Sequence, residues 1–237
     1  MVSAERLAAG NGSYWNSFLP RLEHVVRISN LGPRRVAPPL HTSFPPHRQA
    51  LVSETGFRLW AQQVQFGLPG VDLAVAERQA RGRLTGLERS EGIVDPLVAS
   101  EADSAQDLGD RLVDYFLVKR DLQHIEIESR LPGCGFVSGG QPDALAWDGG
   151  RKSNCLLEVK SVNRAFRSGD FRQLISYLVL MVAAGRGHCD EVVLLNPLRG
   201  TALELSVDEL VRDASGEAAD DVLQALASDW ASSGSSQ

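Results

Sequence analysis

Three charged side chains stand at the ends of apolar runs: Asp143, directly after Pro142, and Glu158 with Lys160, directly after Cys155-Leu156-Leu157. Residues of an extended strand alternate between its faces, so Glu158 and Lys160 share one face while Leu157 and Val159 point to the other. If the segment carrying Asp143 is the neighbouring strand, two carboxylates and an ammonium converge. Carboxylates in such a set hold a hard divalent cation through oxygen, together with water and a substrate phosphate. The main-chain carbonyl of Val159 is a further oxygen ligand within reach, and an ammonium beside the attacking water stabilises developing negative charge. The chemistry that suits these residues is hydrolysis of a phosphodiester with Mg²⁺ or Mn²⁺ as cofactor. Glu158 and Lys160 alone would carry no such argument, because Glu-x-Lys occurs by chance on any solvated strand face.

Such a site needs strands to space the charges and a helix to close over them. Residues 124–130 alternate Ile125 and Ile127 with Glu126 and Glu128, which predicts a strand whose glutamates face water. Residues 136–147 and 155–162 give two more strands, parted by the turn signal Asp148-Gly149-Gly150. The three are expected to form a meander that turns first at Leu131-Pro132-Gly133. A helix is predicted over 171–184, apolar nearly all round except for a stripe with Arg172, Gln173, Ser176 and Tyr177, as in a helix buried against a sheet. Gln173 and Tyr177, four residues apart, lie on one face of it. Strands follow at 191–196 and 202–207, and Ser206 with Glu209 fits a capping box that starts a helix near Asp208. Upstream, Leu108, Leu112, Val113, Phe116 and Leu117 predict a helix over 103–121. Further helices are expected over 14–28, weakened by Pro20, over 49–66, stopped by Gly67-Leu68-Pro69-Gly70, over 71–83, and over 217–227.

The order helix, three strands, helix, strand, with Pro142-Asp143 on the second strand and Glu158-Val159-Lys160 on the third, resembles the PD-(D/E)XK nuclease superfamily over roughly residues 103–207. The resemblance implies an α/β fold, a restriction-endonuclease-like core with a mixed central sheet flanked by helices, here with an N-terminal helical addition. It implies that Asp143 and Glu158 bind one or two divalent metal ions and that Lys160 positions or activates the attacking water. Gly140-Gln141-Pro142-Asp143 and Gln173-x-x-x-Tyr177 resemble the motifs of the RecB- and Cas4-type branch, whose glutamine and tyrosine line the site and touch nucleic acid. The helix before the first strand contributes another acid in this superfamily, which points to Asp114 or Asp110. Some relatives hold an iron–sulfur cluster on four cysteines; Cys134, Cys155 and Cys189 do not match that set, and no cluster is expected. Two other readings stay open: an RNA 5′-end processing enzyme of the same fold, similar to decapping enzymes that also carry a Glu-x-Lys strand, and a non-catalytic nucleic-acid-binding or assembly subunit.

The formal net charge of −6 does not by itself suggest nucleic acid, with DNA as the expected substrate. Residues 208–229, however, hold seven acidic side chains against Arg212 alone, so this segment carries the whole surplus. Near the candidate site the balance is basic. Arg151, Lys152, Arg164, Arg167 and Arg172, with Asn163 and Phe166 interleaved, combine phosphate contacts with an aromatic for base stacking. These features divide the chain into a helical region over 1–102 with a Pro-rich basic arm at 32–48, the core over 103–207, and an acidic helical tail over 208–237. The amphipathic helix with Trp15 and Phe18, and the tail, are the candidate surfaces for a protein partner. The apolar run 174–184 is shorter than the ~20 residues a membrane span needs. With scattered cysteines and no secretory pattern at the N-terminus, a soluble, intracellular chain is expected.

Overall fold

The apolar runs of the sequence become the middle of a sheet in the computed structural model, which describes residues 1–41, 44–67, 71–86, 93–122, 124–147, 154–187 and 189–233. In chain order, the first elements are the helices α1 (Ala4–Ala9), α2 (Gly12–Phe18) and α3 (Leu22–Ser29) and the short strand β1 (Arg34–Arg35). Helices α4 (Gln49–Phe66), α5 (Leu73–Gly86) and α6 (Ala99–Val113) follow, the last running into a π-helical turn, Asp114–Lys119. Then come β2 (His124–Ile127), β3 (Leu131–Cys134), β4 (Val137–Gly140), β5 (Ala144–Trp147) and β6 (Asn154–Val159). The chain ends with α7 (Ser168–Ala183), β7 (Glu191–Asn196), β8 (Thr201–Ser206), α8 (Val207–Ser215) and α9 (Ala219–Ser233). No helix among the described residues is long and apolar enough to cross a membrane. The expected turn at Asp148-Gly149-Gly150 and the stop residues Leu68-Pro69-Gly70 lie outside the described residues.

The chain packs as two units, one of Met1–Arg35, His124–Leu195 and Thr201–Gln237, the other of Val36–Gln123 and Asn196–Gly200. In the first, a six-stranded mixed sheet has the order β1-β8-β7-β6-β5-β2. Strands β2, β5 and β6 are antiparallel neighbours, and β7 lies parallel to β6. A parallel neighbour requires a crossover, which α7 supplies. Strands β5, β6 and β7 are buried almost throughout, and they are the near-continuous apolar runs of the sequence. Leu145, Leu156, Val192 and Leu194 share one core with Leu174, Ile175 and Leu178 of α7. Helices α1 and α9, from opposite ends of the chain, also pack on α7, which explains why that helix is apolar nearly all round.

Three local expectations change. The segment 136–147 is not one strand but two, because β4 pairs with β3 in a separate hairpin and only β5 joins the sheet. Pro142 in the break has no N–H to give a ladder, and the backbone at Gly139 has φ +132, a conformation side chains rarely adopt. The hairpin turns at Gly135-Phe136 rather than at Leu131-Pro132-Gly133, with Pro132 tolerated inside β3 because that strand pairs on one side only. Similarly, the helix expected over 14–28 is divided into α2 and α3 at Leu19-Pro20-Arg21.

In the second unit, α4 packs on both α5 and α6. Gly56 makes the α4–α6 crossing close: a Cβ there would lie 2.7 Å from Leu108 Cβ. Arg48 and Glu101, both buried, join the start of α4 to the first turn of α6 through paired bonds of 2.9 and 2.8 Å.

Candidate functional site

The register of β5 and β6 sets the first pair of groups. Ala144 stands opposite Leu157, so Asp143 reaches the sheet beside Glu158 and Val159. Lys160 N–H is donated sideways to Leu195 of β7 at 2.7 Å, and alternation then turns the N–H of Val159 toward β5. There Asp143, just ahead of the start of β5 at Ala144, accepts it through Oδ2 at 2.7 Å. Asp143 N in turn faces Glu158 Oε2 at 3.4 Å, and the Asp143 carbonyl accepts the N–H of Glu128 at 2.9 Å. The carbonyl of Val159 leaves the strand on the same side as its N–H, toward Asp143. Pro142-Asp143 is thus a strand entry whose carboxylate completes the ladder.

Glu158 lies on the face of the sheet that α7 covers and is only 4 % exposed. Its Oε1 accepts from Lys160 Nζ and from Gln173 Nε2, both at 2.8 Å. Lys160 Nζ also donates to Gln173 Oε1 at 2.7 Å. Burial pulls the Lys160 ammonium toward neutrality, but the charges of Glu158 and Asp143 outweigh it and hold its pKa above the ordinary lysine value. The ammonium is therefore protonated across the physiological range. Gln173 Nε2 donates to the Tyr177 hydroxyl oxygen at 2.7 Å, and burial, with the charges of Glu158 and Glu5 behind it, raises the Tyr177 pKa far above the usual phenol value. Asp143, Glu158, Lys160, Gln173 and Tyr177 are one connected group, as the sequence motifs imply.

One residue of this group, Glu5, escaped the sequence reading, and Gln141 was named there only as part of its motif. Glu5, on α1, accepts from the Tyr177 hydroxyl at 2.9 Å and from Gln141 N at 3.1 Å through the same Oε1. Gln141 spends its side-chain amide on the carbonyl of Glu128 at 3.0 Å. The signal for α1 was slight: Ser3 caps it by accepting Arg6 N–H at 3.3 Å, but six residues are too short a helix to display a period. Gly140 explains the Gly-x-x-Asp form. A Cβ at that position would lie 2.8 Å from the Tyr177 ring and 3.0 Å from Ala4 Cβ, so α1, α7 and the end of β4 meet only over a glycine.

The other expected residues fall differently. Asp114 and Asp110 belong to the second unit. Asp114 opens the π-helical turn and pairs with Lys119 at 2.7 Å, a spacing of five residues that a π turn brings onto one face. Asp110 accepts from Gln106 at 2.9 Å. Arg164 gives a two-pronged pair to Asp170 at 2.7 and 3.0 Å, and Asp170 also accepts the N–H of Arg167 at 2.8 Å, so this arginine ties the β6–α7 connection to the start of α7. Phe166 offers no stacking face, being 4 % exposed and packed in the core, with Asn30 clasping its backbone from both sides at 2.8 and 3.1 Å. Arg167 is exposed, while Arg172 is largely covered and stands 3.5 Å from Glu23. Arg151 and Lys152 lie outside the described residues.

No group of three or more His, Cys, Asp or Glu side chains among the described residues is arranged to hold a metal ion. Asp143 and Glu158 with the Val159 carbonyl nevertheless form an all-oxygen set, and Mg²⁺ takes one or two carboxylates and fills its remaining positions with water and phosphate. The donor chemistry fits a hard divalent cation. Comparison of the sequence with protein-family models, and with curated proteins, gives no match.

Proposed function

We propose that this protein is a divalent-metal-dependent nuclease with a PD-(D/E)XK-type core that hydrolyses phosphodiester bonds of nucleic acid, DNA foremost. The observation that carries the reading is the meeting of Asp143, Glu158 and Lys160 at one end of β5 and β6, with Gln173 and Tyr177 of α7 hydrogen-bonded onto them. Asp143, Glu158 and the Val159 carbonyl would hold Mg²⁺ or Mn²⁺, which would neutralise charge on the phosphoryl oxygens and lower the pKa of bound water. Lys160, kept charged by its two carboxylates, stabilises negative charge on the attacking oxygen. Gln173 holds the ammonium at the end of the sheet, and Tyr177 holds Gln173. Exposed Arg167, at the start of α7, would supply a phosphate contact, which positions a strand without reading its sequence.

The test is cleavage of labelled single- and double-stranded DNA and RNA with Mg²⁺, with Mn²⁺ and with EDTA. Cleavage is expected with metal and absent with EDTA, and Asp143→Ala and Lys160→Ala should each lower the rate at least about a hundredfold. Full cleavage by either variant would overturn the assignment.

A further inference from the structure

One branch of the hydrogen bonds in the group runs from Lys160 through Gln173 and Tyr177 and ends on Glu5. An ammonium can only donate, so the Gln173 amide must turn its oxygen to Lys160 Nζ, 2.7 Å away. Its NH₂ then faces Glu158 Oε1 at 2.8 Å and the Tyr177 oxygen at 2.7 Å. A phenol that accepts from Gln173 has one proton left to give. Two acceptors lie within reach of it, Glu5 Oε1 at 2.9 Å and the Gln141 carbonyl at 3.2 Å. The nearer is a carboxylate, and bonds to ionised acceptors are the stronger ones. The same Glu5 oxygen takes Gln141 N–H, two residues before Asp143. One side chain on α1 therefore fastens both the helix that carries Gln173 and the segment that carries Asp143, over a glycine that lets them meet.

We infer that Glu5 is a positioning residue: by accepting the Tyr177 hydrogen bond it fixes the phenol oxygen against the Gln173 amide, and so holds Gln173 and Lys160 at the carboxylate end of β5 and β6. Glu5 acts through Tyr177 and Gln141, not on the reacting atoms. Without an acceptor at position 5, the phenol turns to the Gln141 carbonyl, 3.2 Å away, and its oxygen shifts relative to the Gln173 amide that donates to it.

The kinetic arm of the test rests on the nuclease reading, and the spectroscopic arm does not. With end-labelled DNA and Mn²⁺, Glu5→Ala is expected to lower kcat about tenfold with KM little changed, the size expected for one lost hydrogen bond. Glu5→Gln, which keeps an acceptor oxygen, should recover most of that loss. Tyr177→Phe should match Glu5→Ala, and the double variant should be no worse than either alone, because both break one chain. In metal-free protein labelled with ¹⁵N-glutamine, the side-chain NH₂ signals of Gln173 should move together in Glu5→Ala and Tyr177→Phe and stay near their original positions in Glu5→Gln. Unmoved Gln173 signals in Glu5→Ala would overturn the inference even if no nucleic acid is cut. A Glu5→Gln variant as impaired as Glu5→Ala would overturn it as well, since charge rather than acceptor geometry would then be what matters.

Discussion

Gly140 is where the smallest side chain has the largest effect on the charged group. Adding one methyl there drives the Tyr177 ring or α1 outward, and overpacking of this kind costs about 1–3 kcal/mol. Because Tyr177 is the link between Gln173 and Glu5, the displaced ring also breaks the chain that holds Lys160. Gly140→Ala is therefore expected to lower the urea midpoint and, on the nuclease activity proposed above, to cut the cleavage rate by more than the loss of stability accounts for. A variant that loses stability but keeps its full rate at a temperature where it is folded would show that the ring's position does not matter. At this scale the sequence was informative about types and spacing, since Asp143, Glu158, Lys160, Gln173 and Tyr177 all meet. It was silent on Glu5, because nothing in a six-residue helix at the far end of the chain says which strand it will face.

Among the elements, the connection between β6 and α7 is the most tightly held irregular segment near the site. Asn30, the residue that ends α3, donates to the carbonyl of Phe166 and accepts its N–H, while Arg164 and Asp170 close the segment on the other side. Basic residues expected to make a groove are here partly spent on holding the loop, because a buried carboxylate such as Asp170 must have a partner. Asn30→Ala removes both bonds to Phe166 and should destabilise the protein by about 1–3 kcal/mol. Hydrogen exchange should locate the effect, with faster exchange at residues 161–167 and little change in β7. Equal acceleration across the whole sheet would show that the clasp is a global rather than a local fastening.

At the scale of the whole molecule, each unit contains an ion pair whose buried carboxylate is held below its ordinary pKa. For Glu101 the Arg48 hydrogen bonds outweigh the opposing effect of burial. For Asp170 burial acts upward, and Arg164, the Arg167 N–H and Lys160 together overcome it. A carboxylate depressed in the folded state stabilises fully above its unfolded pKa, about 3.9 for Asp and 4.3 for Glu, and that contribution disappears as pH falls through the folded value. The urea midpoint should therefore change little on this account between pH 7 and pH 5 and drop below about pH 4. Glu101→Gln leaves Arg48 buried without its charge partner, so its midpoint should already be lower at pH 7, with a shallower fall in acid. An unchanged acid slope in that variant would show that this pair does not drive the loss.

What the sequence by itself determined are the properties that one residue's neighbours in the chain control. The helix over Gln49–Phe66, the strand over Glu191–Asn196 and the cap at Ser206 are set by periodicity, apolar runs and turn chemistry, all of them short-range. The phase that puts Glu158 and Lys160 on one face follows from strand geometry alone. Only the tertiary structure decided that β4 pairs with β3 apart from the six-stranded sheet, that Phe166 is core, and that Glu5 of α1 is joined to Tyr177. Those outcomes depend on which surfaces meet, and a contact between Glu5 and Tyr177, separated by 172 residues, is fixed by the packing of α1 on α7 over Gly140 and by no property local to either segment.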